Sequence, residues 1–296
     1  MSVPFVHAPD LKPGVPEALS ERITRIIAPN PGPFTYTGSG TYLLKAAHET
    51  VVIDPGPDDP GHIELLAAFA PQPIKTILIT HTHADHSGGA NRLQAMTGAT
   101  TFGYGPHPSP PGGAAPALDE GADFGFAPDR ALNDGAAVPV EGLSITAVHT
   151  PGHISNHLCF ALEEENALFT GDHMMGWATT VVAPPDGDMA LYMESLELLL
   201  RRDDAIYYPT HGAPIDDPHP FVHAVRAHRL GRDQSVMAAL ADGPKTIPDI
   251  VDDVYVGLSS ALKMAAGLNV LAHLQMHEVQ GEVTRGDDGL FFLSSH

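Results

Sequence analysis

Four side chains that commonly bind metal ions lie within one short segment of the chain. The segment ILITHTHADHSGG, residues 77–89, contains His81, His83, Asp85 and His86. If the apolar residues before them form a strand, His81 and His83 point to the same side of the chain and can share one metal ion. Asp85 and His86 then fall in the turn towards the next helix, where they can face a second ion. The spacing therefore predicts a metal centre that holds more than one ion.

Three further candidate ligands follow apolar segments elsewhere in the chain. They are His153 in TPGH, Asp172 in FTGD and His211 in PTHG. The end of a strand is where an α/β sheet usually presents its ligands, so we expect these residues to join the first four in one site. Histidine and aspartate supply nitrogen and oxygen donors, a set that suits zinc best and also tolerates manganese, iron or cobalt. Zinc is the expected metal.

The elements that must position these residues alternate along the first part of the chain. Short β-branched runs predict strands, and the segments between them predict helices. The predicted strands cover residues 41–44, 50–54, 76–80, 143–150 and 167–172. The predicted helices cover residues 61–70, 87–98 and 187–202. Alternation of this kind is typical of an α/β domain. The segment YGPHPSPPGGAAP, residues 104–116, predicts a surface loop, because each proline removes a backbone donor.

The sequence changes character after about residue 218, where longer helical periods begin. Three predicted helices are followed by EVTRGDDGLFFL, which predicts a hairpin around residues 286–289. We therefore predict two domains, a large one at residues 1–217 and a winged-helix-like one at residues 218–296. The apolar positions of the third helix are Leu262, Leu268, Leu271 and Leu274. We expect this helix to pack against the large domain or against a second subunit, as in a homodimer formed through the C-terminal domain.

The charge of the chain restricts the class of partner. The formal net charge is -21, and both predicted domains are acidic. An acidic surface repels polyanions, so we expect a small-molecule substrate rather than a nucleic acid. The N-terminus lacks a basic and apolar leader, and no run of about 18 apolar residues occurs. We expect a cytoplasmic protein that does not associate with a membrane.

The motifs resemble those of a known superfamily. THTHADHSGG, TPGH, GD and HG, with VVIDPG upstream, are similar to the metal-binding motifs of the metallo-β-lactamase superfamily. The resemblance implies a four-layered αββα sandwich with its metals at the sheet edges. The implied ligands of one zinc are His81, His83 and His153. Those of the other are Asp85, His86 and His211, with Asp172 bridging the two. Asp54 matches a carboxylate that orients the ligand loop in that superfamily.

The resemblance extends over nearly the whole chain. NPGPFTYTGSGTYLL, EEENALFTGD, TTVV, MESLELLL and the C-terminal segment resemble a branch of β-lactamase-like proteins that carries a winged-helix domain. That branch includes a single-strand-specific endoribonuclease. Gly40 departs from the pattern, because the branch leads us to expect asparagine at this position.

The resemblance implies a hydrolytic mechanism. Two metal ions that share Asp172 would also share a water molecule and lower its pKa towards ~7. The hydroxide attacks a polarised carbonyl or phosphoryl group, and Asp85 is the expected catalytic residue that orients it. His157 and His173 lie beside the motifs and are candidates for contact with the substrate.

The bond that is cleaved stays open at the level of sequence. We expect hydrolysis of an ester, lactone, thioester or amide bond. The alternatives are a zinc-dependent single-strand endoribonuclease, a β-lactamase, an iron-dependent redox enzyme and a non-catalytic metal-binding module. Zinc β-lactamases of the commonest type have cysteine where Asp172 stands and a lysine nearby. Here Arg201 and Arg202 are the basic residues between Asp172 and His211, which disfavours a β-lactamase.

Overall fold

Two β-sheets pack face to face around a shared apolar core. The computed structural model describes residues 2–8, 10–108 and 121–294 of the chain. Tyr42 of the first sheet packs against Phe169 of the second with ring centroids 5.0 Å apart, and its hydroxyl donates to Pro209 O. Tyr208 completes the cluster. Fully burying an aromatic ring of this size stabilises the fold by about 1.5–3 kcal/mol, so this seam holds the sheets together.

The first sheet contains the strand that leads to the main metal-binding motif. In spatial order its strands are β1 (Glu17–Ala18), β2 (Ile23–Ile27), β3 (Gly40–Lys45), β4 (Thr50–Ile53), β5 (Ile74–Leu78), β6 (Thr100–Gly103) and β7 (Arg130–Ala131). Neighbours from β1 to β4 are antiparallel, whereas those from β4 to β7 are parallel. Parallel neighbours need crossover connections, and helices supply them between β4, β5 and β6.

The second sheet contains the strands that lead to the other candidate ligands. In spatial order its strands are β12 (Ile206–Pro209), β11 (Ala167–Gly171), β10 (Leu158–Leu162), β9 (Ile145–His149) and β8 (Ala137–Val138). β10 is antiparallel to both β9 and β11, and β11 is parallel to β12. β9, β11 and β12 therefore run in the same direction, and their C-terminal ends lie at one edge of this sheet.

Helices cover the outer faces of both sheets. In chain order the α-helices of the described residues are α1 (Pro60–Phe69), α2 (Ala84–Ser87), α3 (Ala90–Thr97), α4 (Met189–Leu200), α5 (Pro218–Leu240), α6 (Ile247–Val254) and α7 (Ser260–Gln280). Ile63 of α1 and Leu93 of α3 pack on the first sheet, while Leu196 of α4 and Phe221 of α5 pack on the second. The predicted αββα sandwich is confirmed.

The two glycines after the main motif separate α2 from α3, where the sequence predicted one helix. A Cβ atom on Gly89 would lie 2.5 Å from Ile63 Cδ1, and one on Gly88 would lie 2.3 Å from Ala84 O. The first contact is with the movable end of a side chain of α1, whereas the second is with a backbone carbonyl of α2, so a side chain at Gly88 would displace the backbone. Glycine at both positions therefore lets the turn after the motif pack closely.

The C-terminal helices and a short ribbon form the predicted winged helix. The ribbon pairs β13 (Val283–Arg285) with β14 (Phe291–Leu293), and the predicted hairpin turn lies between them. A separate apolar cluster, the C-terminal cluster, joins α5, α6, α7 and the ribbon. The side chain of Thr246 caps α6 together with Asp249, in a reciprocal pair that satisfies backbone donors at the start of the helix.

Helix α7 packs against the large domain, as we expected, and also against the other C-terminal helices. Leu268 and Leu274 are buried, and Leu271 is partly buried against the C-terminal cluster. Ala272 of the same helix packs into the cluster under α4. Leu262 differs from the expectation, because it is 38% exposed. A homodimer through this region stays a prediction.

Helix α5 connects the two predicted domains. Its first half contributes Phe221 and Val225 to the cluster beneath α4, whereas its second half contributes Val236 and Leu240 to the C-terminal cluster. The predicted boundary between residues 217 and 218 coincides with the start of α5 and stays a prediction. Within the described residues, no helix is both long and apolar enough to cross a membrane. Of the predicted loop at 104–116, residues 109–116 lie outside the described residues.

Candidate metal centre

The candidate ligands meet where the C-terminal ends of four strands converge. The main motif follows β5, His153 follows β9, Asp172 follows β11 directly, and His211 follows β12. These side chains form three groups, and within each group the potential ligand atoms lie within 4.8 Å of one another. The groups are His81, His83 and His153; His81, His86 and Asp172; and Asp85, His86 and His211. The structure thus brings together all seven residues predicted from the sequence.

Three histidines form one half of the cluster. His83 Nδ1 lies 2.9 Å from His81 Nε2 and 3.1 Å from His153 Nε2. Nitrogen ligands at ~2.0–2.1 Å from a tetrahedral ion are about 3.3 Å from one another. Two of the three nitrogen spacings are therefore close to those that one metal ion requires, and potential ligand atoms of all three residues lie within 4.8 Å of one another.

A carboxylate and two histidines form the other half. Asp85 Oδ2 lies 3.1 Å from His211 Nε2 and 3.3 Å from His86 Nε2. The hydroxyl of Ser39 donates to the same carboxylate oxygen at 2.9 Å. Ser39 thereby fixes the carboxylate of Asp85 between the two imidazoles.

Asp172 lies between the two halves and faces both. Its Oδ1 is 3.3 Å from His211 Nε2 and 3.5 Å from His86 Nε2, while its Oδ2 is 3.8 Å from His153 Nε2. Asp172 Oδ1 and His86 Nε2 are both buried and have no hydrogen-bond partner in the part of the chain that the structure describes. Buried polar atoms without partners cost free energy, and a cation between them would satisfy both. The donor set and these two atoms fit a metal ion.

Burial and neighbouring charges set the protonation of the cluster. Burial, together with the surrounding histidines, holds the pKa of His81 well below its usual value and lowers the pKa of His83 to about 3. Neutral imidazole is the form that binds metal. Burial alone would raise the pKa of Asp85, but His86 and His211 hold it well below its usual range. A carboxylate binds metal in its ionised form, so this shift favours Asp85 as a candidate ligand.

The pKa values of two histidines beside the carboxylates are raised instead of lowered. Burial would lower the pKa of His86 and of His211, but Asp85 and Asp172 raise both. Each imidazole has to be unprotonated at its ligand nitrogen to bind metal, so binding releases protons here. A cation would take over the role of those protons as the counter-charge of the carboxylates.

Asp54 forms hydrogen bonds to two of the loops that carry candidate ligands. Its Oδ2 lies 2.8 Å from His86 Nδ1 and accepts from the hydroxyls of Thr80 and Thr210. Its Oδ1 accepts from Thr80 N at 2.8 Å. Thr80 and Thr210 immediately precede candidate ligands in the sequence. A carboxylate behind a ligand histidine fixes which ring nitrogen faces the metal.

His157 and His173, the predicted substrate contacts, are both fully buried, and their contact with a substrate stays a prediction. His157 Nε2 accepts from Asp172 N at 3.1 Å, and its Nδ1 lies 2.8 Å from the hydroxyl of Thr150. Both ring nitrogens are therefore engaged inside the protein. The ring of His173 packs beside Tyr192, with centroids 4.8 Å apart. The hydrogen bond from Asp172 N shows that His157 orients the backbone of Asp172.

The structure shows one histidine near the centre that the sequence did not single out. His107 is half-buried, and its ring centroid lies 6.5 Å from that of His83 and 4.8 Å from that of Phe124. Phe124 is 65% exposed. His107 Nδ1 lies 2.9 Å from the hydroxyl of Thr82, which accepts from the amide of Asn156. A lone histidine in a proline-rich segment gave no signal of this position.

Gly40 departs from the expected asparagine at a point where the sheets meet. Its backbone nitrogen donates to Thr210 O at 2.8 Å, and a Cβ atom at Gly40 would lie 3.0 Å from that same oxygen. Thr210 directly precedes the candidate ligand His211. The absence of a side chain at this position therefore allows the first sheet to approach the loop of His211 closely.

Comparison with known proteins gives a family match for most of the chain. The model of the metallo-beta-lactamase superfamily matches residues 37–211, and that of the beta-lactamase associated winged helix domain matches residues 246–290. An atrochrysone carboxyl ACP thioesterase of Aspergillus chevalieri is 34% identical, over 81% of this chain and 75% of that protein. A second protein of that name, from Aspergillus fumigatus, is 35% identical over 82% and 77%. The lactamase-like protein adaB of Aspergillus niger is 32% identical over 84% and 78%.

Solved structures share the fold over nearly the full length. A metallo-beta-lactamase family protein from Thermus thermophilus superposes with a TM-score of 0.76 at 25% identity, over 93% of this chain and 100% of that chain. A beta-lactamase domain protein from Burkholderia ambifaria gives a TM-score of 0.79 at 22% identity, over 95% and 94%. At 22% identity, the similarity to the Burkholderia ambifaria protein shows a shared fold and nothing more. The chain therefore belongs to the metallo-beta-lactamase superfamily, as a hydrolase that carries the winged-helix domain associated with it.

Proposed function

We propose that this protein is a dinuclear zinc hydrolase whose substrates are thioesters. The observation that carries the dinuclear part is the position of Asp172, whose two carboxylate oxygens face different halves of the cluster. In the proposed site His81, His83 and His153 would hold one ion. Asp85, His86 and His211 would hold the other, and Asp172 would serve both. The relatives named as thioesterases support the choice of bond.

The metal pair supplies what the side chains cannot. When bound, two zinc ions would provide a hydroxide nucleophile near neutral pH and a Lewis acid for the acyl oxygen. Asp85 is held by Ser39 at Oδ2, so its carboxylate has a fixed orientation from which it orients the attacking water. Asp172, held through its backbone by His157, sets the separation of the two halves.

The chemistry of the carboxylates favours a thioester over an amide. Metal ligands are deprotonated, so neither Asp85 nor Asp172 is available as a strong acid. An amine leaving group needs a proton before it departs. A thiol has a pKa of about 8.5 and leaves as a thiolate without that help. A site with ionised carboxylates around its nucleophile therefore suits thioester cleavage.

His107 is the residue that we place against the substrate. Because the hydroxyl of Thr82 accepts from Asn156, it can donate its own hydrogen to His107 Nδ1. In the tautomer in which Thr82 donates to Nδ1, the ring proton of His107 lies on Nε2, on the far side of the ring from Thr82. This donor suits the carbonyl oxygen of an acyl group, and the exposed face of Phe124 beside it suits the apolar part of that group.

The test combines metal analysis with a panel of substrates. Purified protein is assayed for bound metals and for thiol release from acetyl and benzoyl thioesters of N-acetylcysteamine. A nitrophenyl ester, a lactone, a β-lactam, a nitrophenyl phosphodiester and single-stranded RNA complete the panel. We expect thiol release that disappears in a folded His83→Ala variant together with bound zinc. Cleavage of RNA or of the β-lactam without thioester cleavage would overturn the choice of substrate, and iron as the native metal would overturn the zinc centre.

A further inference from the structure

The candidate ligand His153 is oriented by a loop that lies against the C-terminal helices. His153 Nδ1 donates to Val181 O at 2.6 Å, and the hydroxyl of Thr180 lies 3.1 Å from the same nitrogen. Because a carbonyl oxygen only accepts, the proton of the ring is on Nδ1. The lone pair of Nε2 is then directed at His83, across the proposed metal position. The orientation of His153 thus depends on the position of Val181.

The residues on both sides of Val181 are held by side chains of the C-terminal helices. Arg229 of α5 donates from Nη2 to Thr180 O. Asn269 of α7 accepts from Val182 N at 3.1 Å. The two side chains also contact each other, because Arg229 Nη1 donates to Asn269 Oδ1 at 3.2 Å. Side chains of α5 and α7 therefore both hold segment 180–182, and we call the contacts of Arg229 and Asn269 with this segment the clamp. Asn269 lies within the region that matches the winged-helix model.

Arg229 is buried, which makes its contacts specific. It is 3% exposed, and its guanidinium lies 5.0 Å from the centroid of the Tyr192 ring. Removing a charged group from water is costly, and hydrogen bonds together with a ring face offset that cost. Tyr192 in turn lies against the residue before His153, because a Cβ atom on Gly152 would lie 2.3 Å from Tyr192 Cα. Arg229 thus contacts both segment 180–182 and the residue that packs against Gly152.

We propose that Arg229 and Asn269 are positioning residues for the metal ligand His153, and that the C-terminal helices thereby complete the metal centre of the large domain. The inference rests on the proposed function, since it requires His153 to hold an ion. It assigns the winged-helix domain a role in hydrolysis that involves no nucleic acid. Loss of the clamp should lower the affinity for the ion of the three-histidine half and leave the affinity for the other ion unchanged.

The chain offers a matched control on the same helix. Arg232 lies three residues after Arg229, donates to Val254 O at 3.0 Å and lies 4.5 Å from the centroid of the Tyr255 ring. It therefore makes the same two kinds of contact within the C-terminal helices, but none with segment 180–182. Arg229→Met and Arg232→Met remove equal charge from one helix, and because Arg232 is less buried than Arg229, the free energy of unfolding of both variants is measured beside their zinc affinity.

The experiment measures zinc affinity by competition with a chelator, and the absorption spectrum of the protein loaded with cobalt. Replacing a residue behind a metal ligand typically weakens metal binding by about 10–100-fold, and we expect about 10-fold for one of the two ions in Arg229→Met. The cobalt spectrum should change in that variant, and Arg229→Lys should recover part of the affinity. Arg232→Met should bind both ions as the wild type does. Asn269→Ala tests the same clamp if Arg229→Met does not fold.

The outcomes separate this inference from the proposed function. If wild-type protein binds fewer than two ions, the dinuclear site itself is wrong. If wild-type protein binds two ions and both Arg229→Met and Asn269→Ala bind them equally well, the metal centre stands and the clamp is wrong. An equal loss of affinity in Arg232→Met would also overturn the clamp, because it would trace the effect to general destabilisation.

Discussion

Asp54 Oδ2 lies 2.8 Å from His86 Nδ1, and both side chains are buried. The same carboxylate accepts hydrogen bonds from Thr80 and Thr210, each of which directly precedes a candidate ligand. Asp54 has a positive φ of 49°, a conformation that Asp adopts more readily than most residues. One side chain that faces no metal therefore determines the orientation of ligand loops from both sheets.

Asp54→Asn should weaken zinc binding while the fold is retained. An amide nitrogen in place of Oδ2 is a donor, so it cannot accept a hydrogen bond from His86 Nδ1. We expect a loss of about 10–100-fold in zinc affinity, measured by chelator competition. Asp58→Asn is the matched control, because Asp58 pairs with Arg92 at the surface, away from the ligands. Equal zinc affinity in the two variants would contradict the role of Asp54.

Asp172→Asn should separate the two halves of the metal centre. The amide keeps one oxygen, which can serve one half of the cluster, and it loses the charge that offsets two cations. We expect bound zinc to fall from two ions to about one per chain, with a loss of thioester cleavage of about 100-fold or more. Metal analysis after gel filtration measures the bound zinc, and thiol release measures the rate of thioester cleavage. Two tightly held ions in this variant would mean that Asp172 does not bridge them.

His107→Phe should impair catalysis without loss of metal. Phenylalanine keeps a ring against Phe124 but removes the donor at Nε2. A neutral hydrogen bond contributes about 0.5–1.5 kcal/mol, so kcat/KM for thioesters should fall by roughly 3–10-fold. His107→Gln, which retains a donor, should restore part of the rate, and zinc content should stay as in the wild type. An unchanged rate in His107→Phe would remove His107 from the substrate site.

The ligand set was predictable because its signal is local. Each candidate ligand follows an apolar run, and the strand end next to it can be identified from neighbouring residues alone. The directions of adjacent side chains could not be predicted in this way. Asp172 faces the metal cluster whereas His173, the next residue, packs beside Tyr192. Successive side chains at a strand end point to opposite faces, so proximity in sequence to a ligand does not indicate contact with substrate.

Other features depend on contacts between distant parts of the chain. Strand β2 was not predicted, because its central residue is a charged Arg25. That side chain is buried, and it donates to Gly212 O at 2.7 Å and to Glu17. His107 is placed by the hydroxyl of Thr82, which lies 25 residues earlier. Neither partner can be inferred from a local pattern.

His62 should make stability depend on pH through a group outside the metal centre. Burial lowers the pKa of His62 from 6.5 to about 4, and the nearby Asp59 only partly opposes this. His62 Nε2 lies 3.0 Å from the hydroxyl of Thr41, and its Nδ1 is buried without a partner among the described residues. In the folded protein the ring is therefore neutral over a range of pH in which it would be protonated in the unfolded chain.

The sign of the pH effect follows from this difference in proton binding. Above the unfolded pKa of about 6.5 neither state binds the proton, so the stability contribution of neutral His62 is fully present. Between that value and about pH 4 the unfolded chain binds a proton that the folded protein does not, so the free energy of unfolding falls as pH falls. The loss should reach about 3 kcal/mol at most. His62→Gln keeps a hydrogen bond to Thr41 and cannot titrate, so the difference in unfolding free energy between wild type and variant should shrink or reverse from about pH 8 to about pH 4.5. Urea denaturation at each pH measures it, and a difference that stays constant over this range would show that His62 is not the group responsible.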